Sequence, residues 1–247
     1  MCLECGCDQG REHTHTHGRE DEHDHPHRHV EVQRSILTAN DRLAERNRGF
    51  FRALGLLVLN VLSSPGSGKT TFLQKTIELL GDSVRCGVIV GDLETDNDAR
   101  RLRTTGAPVV QISTGTLCHL DAEMISRVVE EVGPKTLDIL FIENVGNLVC
   151  PSGFDLGEDH RVALLSVAEG EDKPLKYPPA FRFSDVVAVT KIDLSIACEF
   201  DRPTAVGNIH LVNPEAQIFE VSAKTGQGME AWCTYVAGLR SQHSPRL

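Results

Sequence analysis

Apolar residues along this chain are arranged in two ways. Short runs with branched side chains at nearly every position occupy residues 56–62, 84–90, 109–112, 139–142, 162–167, 185–189 and 218–221. Such runs suit strands buried on both faces, as in a parallel sheet. Between them lie stretches with apolar positions at helical spacing: Phe72, Leu73, Ile77, Leu79 and Leu80 after the first run, and Trp232, Tyr235 and Val236 within residues 228–240. Residues 97–105 read as a further helix. Ahead of the first run, Ile36, Leu37, Leu43, Phe50 and Phe51 mark one apolar face of a helix over residues 30–51. The alternation predicts an α/β fold, a mainly parallel sheet flanked by helices. Residues 53–247 form its domain and residues 30–52 a helical tether packed on it.

The first strand ends in Ser63-Ser64-Pro65-Gly66-Ser67-Gly68-Lys69-Thr70-Thr71, directly before a helix. Strand, glycine-rich turn and helix make a phosphate loop and predict a P-loop NTPase fold. Gly66 and Gly68 let the backbone aim amide N–H groups from Ser64 to Thr71 at phosphate oxygens, and the helix start adds its positive dipole end. Lys69 would pair with the β- and γ-phosphates, and the Thr70 hydroxyl would ligate Mg²⁺. Ser63 stands where the strict GxxxxGK(S/T) pattern has its first glycine.

Composition separates residues 1–29 from the rest. They hold Cys2, Cys5 and Cys7 and seven of the chain's 11 histidines: His13, His15, His17, His23, His25, His27 and His29. Seven acids against three arginines give the segment a charge of −4, and it has hardly an apolar side chain. It is predicted to be disordered without a ligand, because it cannot bury enough surface to offset its ordering entropy. Three cysteines in a C-x-x-C-G-C cluster can converge on one ion, Zn²⁺ if tetrahedral or Ni²⁺ if planar. The alternating histidines suit weak binding of several divalent ions. The net charge of −10 and the lack of a basic stripe argue against nucleic acid as a partner. The opening residues lack the apolar segment of a signal peptide, and the longest apolar run is too short to span a bilayer. A cytoplasmic chain without membrane insertion is expected, its eight cysteines serving as thiols or metal ligands rather than disulfides.

Further candidates follow the strand ends, where ligands bind in parallel sheets. Asp92 would hold Mg²⁺ and Asp96 would orient an attacking water; Asp96 also reads as the N-cap of the next helix. Cys118-His119 stands at a loop-to-helix junction. Glu143, three residues before Gly146, has the layout of a Mg²⁺-linked switch whose glycine N–H contacts a γ-phosphate. Cys150 follows closely; if Cys118, His119 and Cys150 lie on neighbouring loops, they would form a metal site tied to the switch. Residues 169–179 read as a long proline-rich surface loop, a candidate dimer contact. Thr190-Lys191-Ile192-Asp193 supplies a carboxylate matched to guanine, with Lys191 along the base plane and Ser222-Ala223-Lys224 closing over it, which indicates GTP.

Taken together, the cysteine cluster, the phosphate loop, Thr116-Leu117-Cys118-His119-Leu120-Asp121-Ala122, the stretch Phe141 to Pro151 and Glu169-Gly170-Glu171-Asp172-Lys173-Pro174-Leu175-Lys176-Tyr177-Pro178 resemble the HypB family. These are nickel-insertion GTPases of nickel–iron hydrogenase maturation, in the signal-recognition-particle and MinD-like class. The resemblance covers residues 38–238 and the cysteine cluster. It implies a high-affinity nickel site at Cys2, Cys5 and Cys7 and a weaker nickel or zinc site at Cys118, His119 and Cys150. It further implies slow hydrolysis of GTP to GDP, a nucleotide-dependent homodimer, and partnership with the zinc-binding HypA-type accessory protein and the hydrogenase large subunit. Thr190 replaces the usual asparagine of the guanine motif, and only some members carry a histidine tract. Two other functions fit less of the sequence: a nickel storage protein, or a urease-type nickel accessory GTPase.

Overall fold

The computed structural model describes residues 25–92 and 96–243. Chain order is α1 (His25–Leu54), β1 (Leu57–Ser63), α2 (Lys69–Leu80), β2 (Cys86–Asp92), α3 (Asn97–Arg103), β3 (Val109–Ser113), α4 (Ala122–Val128), β4 (Ile139–Gly146), β5 (His160–Ser166), α5 (Lys173–Lys176), α6 (Pro178–Arg182), β6 (Val186–Thr190), α7 (Arg202–Val212), β7 (Gln217–Val221) and α8 (Met229–Gln242). The strands form one sheet in the order β3-β2-β4-β1-β5-β6-β7, with every pairing parallel. This is the predicted α/β architecture. All strand ends that carry candidate residues therefore open on the same edge of the sheet.

Strand alternation assigns the two faces. Leu57, Leu59 and Val61 of β1 pack with Phe72, Leu73, Leu102 and Trp232 from α2, α3 and α8. On the other face, Leu56 and Val58 meet Phe51 of α1 and Ile125 of α4, while Val187 and Val189 of β6 meet Phe181 and Ile209 of α6 and α7. Trp232 is fully buried against Phe72, and its indole N–H donates to Thr76 Oγ1 at 2.9 Å. That bond satisfies its polar edge.

Several sequence expectations change. Helix α1 begins at His25 rather than Val30, inside the segment read as a tail. Its buried stripe is Asn40, Ala44, Asn47 and Phe51, whereas Ile36 is 48% exposed. The predicted apolar face is rotated because the asparagines bond the loops beneath the helix. Strand β4 runs on to Gly146, so Glu143 and Gly146 lie within it, since pairing with β1 continues to Ser63 opposite Gly146. The proline-rich stretch 169–179 is not an open loop: its prolines sit in the first turns of α5 and α6, where a missing N–H costs nothing. Helix α4 was expected only as a helix without bounds after Cys118-His119, and α7 was not legible, since it buries only Ala205 and Ile209. Among the described residues no helix is long and apolar enough to cross a membrane.

Candidate nucleotide and metal sites

Ser63 makes the phosphate loop rigid from within. Its hydroxyl donates to the Ser64 carbonyl at 2.7 Å and accepts Ser67 Oγ and, at 2.9 Å, the Lys69 ammonium. A serine in place of glycine thus keeps the turn and parks the lysine. Gly68 stands before α2 at φ 96°, a conformation side chains avoid, and Phe72 N–H bonds its carbonyl to start the helix. Burial lowers the Lys69 pKa, while Glu143 pulls it back up.

Thr70 Oγ1 donates to Glu143 Oε1 at 2.8 Å. The second carboxylate oxygen, Oε2, is buried without a hydrogen-bond partner. Burial pushes the Glu143 carboxyl up to about 7, against the opposing pull of Lys69 and the Thr70 bond. A hydroxyl beside an under-satisfied buried carboxylate is a donor set for a hard divalent cation, so these residues fit Mg²⁺. Asp92 ends β2 half-buried and contributes to the field on Lys69. Gly146 packs on the loop, where an added Cβ would stand 3.1 Å from Pro65 Cα.

Asp96 does not point into this centre. It is exposed, its side chain caps nothing, and it binds Arg100 at 2.9 Å. Two residues on, half-buried Asp98 acts electrostatically on both Lys69 and Glu143. Arg101, one turn later, donates to Thr71 Oγ1 at 2.8 Å. Lys173 of α5 reaches Ser64 Oγ at 3.4 Å, adding a cation beside the loop. Sequence reading passed over all three. For Asp98 the available signal was an acid in the first turn of the helix after β2.

A cavity of about 180 Å³ lies between Thr190, Lys191 and Asp193 and the loop Ser222-Ala223-Lys224, with Phe72 and Leu194 among its walls. Ser222 Oγ donates to Asp193 Oδ1 at 2.6 Å, which orients the carboxylate. Lys191 donates to the Gly66 carbonyl at 2.6 Å. Thr190 Oγ1 donates to the Ser67 carbonyl at 2.9 Å, so this departure still ties the cavity to the phosphate loop.

Cys118, His119 and Cys150 bring their ligand atoms within 4.8 Å of one another, the one such group among the described residues. The loop after β3 reaches the end of β4 by crossing β2, where Gly91 leaves room for Leu120. His119 stacks on Phe154 with centroids 4.0 Å apart. Buried Asn144, next to Glu143, accepts Leu120 N–H at 3.3 Å and Val145 N–H at 3.0 Å and donates to Asn60 Oδ1 at 3.2 Å. Asn147 donates to the Cys118 carbonyl at 3.5 Å. The candidate Mg²⁺ ligand and the metal loop thus hang on consecutive residues of one strand.

Residues 57–220 match the CobW/HypB/UreG nucleotide-binding domain family. The chain is 52% identical over 211 residues to the hydrogenase maturation factor HypB of Azotobacter chroococcum, covering 85% of this chain and 69% of that protein. The chain belongs to the HypB family of hydrogenase maturation factors. It is also 51% identical to HypB of Escherichia coli K12, with 85% and 73% covered. Helicobacter pylori HypB in complex with nickel superposes with a TM-score of 0.78 at 38% identity, over 85% of this chain and 99% of that one. The GDP complex of a signal recognition particle 54 kDa protein from Aeropyrum pernix shares the fold alone, at 17% identity, a TM-score of 0.53, and 74% and 46% coverage.

Within this chain the structure brings together Lys69, Thr70, Glu143 and Gly146 at one centre, Cys118, His119 and Cys150 at a second, and the residues proposed to match guanine around a third. Cys2, Cys5, Cys7, His13, His15, His17 and His23 lie outside the described residues, and His25, His27 and His29 fall on the first turns of α1.

Proposed function

We propose that this chain is a GTP-hydrolysing nickel metallochaperone that loads Ni²⁺ and delivers it to the large subunit of a nickel–iron hydrogenase. The observation that carries this is the direct connection of the two centres through β4: Glu143 bonds the phosphate-loop Thr70, and the adjacent Asn144 bonds the loop holding Cys118 and His119.

Bound Mg²⁺, held by Thr70, Glu143 and Asp92, would neutralise charge on the β- and γ-phosphates. Lys69 leaves its Ser63 acceptor and pairs with the same oxygens. Asp98 orients water for in-line attack on the γ-phosphorus; the β–γ bridging bond breaks, yielding GDP and phosphate. Arg101 and Lys173 add positive charge, and Asp193 with the Ser222 loop selects guanine. The Gly146 amide contacts the γ-phosphate, so losing that phosphate relaxes the end of β4 and, through Asn144 and Asn147, the Cys118-His119 loop.

Two thiolates and an imidazole accept either nickel or zinc. Nickel is the cargo in this reading, supported by the nickel complex of the H. pylori relative. The amino-terminal Cys2, Cys5 and Cys7 form the tighter nickel site and the histidines hold additional ions. The protein works in the reducing cytoplasm as a nucleotide-dependent homodimer, with a HypA-type zinc protein as its partner.

The test is nickel affinity of the chain with Cys2, Cys5 and Cys7 changed to serine, measured by competition with a colorimetric chelator, in GDP and in a non-hydrolysable GTP analogue. Affinity should differ between the states in the parent, lose that difference in Cys118→Ser, and accompany GTP turnover that Lys69→Ala abolishes. Equal affinity in both states refutes the coupling, and undiminished turnover in Lys69→Ala refutes the assignment of the phosphate site.

A further inference from the structure

Helix α1 buries two asparagines where a helix covering a sheet would ordinarily bury apolar side chains. Asn40 and Asn47 are 6% and 4% exposed, on one stripe with Ala44 and Phe51. A buried amide costs stability unless its groups are hydrogen-bonded. Each of these spans the same two loops. Asn40 Nδ2 donates to the Asp155 carbonyl at 2.8 Å, and its Oδ1 accepts the Ala122 amide at 2.9 Å. Asn47 Nδ2 donates to the Ala122 carbonyl at 2.8 Å and to the Leu156 carbonyl at 3.1 Å. Both backbone groups of Ala122 are therefore held by α1.

The two loops are the arms of the metal cluster. Ala122 stands just after Cys118 and His119, and residues 154–157 follow Cys150, with Phe154 stacked on His119. The approach is close: Gly157 has φ +91°, and an added Cβ would stand 2.7 Å from the Ala44 carbonyl. Arg48 holds Asp155 through both carboxylate oxygens at 2.7 and 2.8 Å.

We propose that Asn40 and Asn47 are positioning residues for the core metal site: they set the separation of the Cys118-His119 loop from the Cys150-Phe154 loop, and with it the geometry and affinity of the bound ion. Apolar packing is non-directional and tolerates sliding, whereas four hydrogen bonds to main-chain groups fix one relative placement of two loops. The inference rests on the reading of Cys118, His119 and Cys150 as a metal site.

The experiment uses the full chain with Cys2, Cys5 and Cys7 changed to serine, so that thiolate-to-nickel charge-transfer absorption reports the core. Ni²⁺ is titrated into this parent, Asn40→Ala, Asn47→Ala, Cys118→Ser, and Asn213→Ala as a control. Asn213 bridges the carbonyls of Phe181, Arg182 and Ser184 elsewhere in the fold, so its loss lowers stability without touching the cluster. Asn40→Ala and Asn47→Ala should weaken nickel binding about 10- to 100-fold, the usual effect of removing a group that orients metal ligands, and should move the absorption band. Asn213→Ala should do neither. Unchanged band and affinity in both α1 variants, with the band lost in Cys118→Ser, overturn the clamp and leave the metal site standing. No band in the parent overturns the metal-site reading itself. If either buried substitution prevents folding, Arg48→Gln loosens the same clamp from its half-exposed side and should weaken nickel in the same direction; no effect there counts against the proposal.

Discussion

Replacing Asp193 by asparagine should exchange the preferred base. The carboxylate is already oriented, since Ser222, fully buried, donates to its Oδ1 at 2.6 Å. The carboxylate is exposed, and the cavity wall beside it includes Phe72, Leu194 and Val221, so a bound base would cover it. Guanine presents N1–H and N2–H to such an acceptor, and each bond to a charged group contributes about 1.5–3 kcal/mol. Asp193→Asn turns one acceptor into a donor and removes the charge, so about 3–6 kcal/mol is lost, or about 100- to 20,000-fold in affinity. Xanthine carries an oxygen where guanine has the 2-amino group, so xanthosine triphosphate should bind the variant better than GTP does. Competition against a fluorescent guanine nucleotide measures both. GTP affinity within a few-fold of the parent, with no gain for the xanthine nucleotide, would refute the assignment of this cavity to the base.

Asp98→Asn should lower kcat for GTP hydrolysis about 100- to 10,000-fold with little change in KM, the scale of a lost water-orienting carboxylate; single-turnover kinetics check it, and Asp96→Asn should be near neutral. Asn144→Leu leaves the Leu120 N–H and Asn60 Oδ1 without partners, costing about 2–6 kcal/mol of stability in denaturant melts; if it folds, its nickel affinity should no longer depend on the nucleotide. Asp138 is held well below the ordinary carboxylate range by its bond with Arg85, with Arg240 adding to it. A lowered folded pKa stabilises above the unfolded value of about 3.9 and is lost as pH falls through the folded one. Asp138→Asn should therefore lower stability at neutral pH, with the gap to the parent closing below about pH 4, as read from thermal unfolding across pH.

The phosphate loop was readable because its chemistry is local: glycines, lysine and threonine act within a few residues, at a strand-to-helix junction that hydrophobic spacing already marks. The strands were readable because burial on both faces leaves an uninterrupted apolar run. The difference between Asp96 and Asp98 was not readable, since it depends on the rotation of α3, which leaves Asp96 exposed on Arg100 and Asp98 half-buried, where its charge acts on Lys69 and Glu143. Nor was the polar stripe of α1: Asn40 and Asn47 look like solvent-facing positions until the loops they bond are known.

Residue types and short spacings were enough to read the α/β class, the phosphate loop and the supply of thiol and imidazole donors, and to propose an acid matched to guanine, because each depends on neighbours in the chain. Folding alone decided which of these donors meet. Cys118 and Cys150 converge because β2 and β4 lie side by side and Gly91 lets the β3 loop cross, and α1 grips that loop because its rotation is set by hydrogen bonds to main-chain groups far away in sequence. Strand order and helix rotation are properties of the packed core as a whole, and no local pattern encodes them.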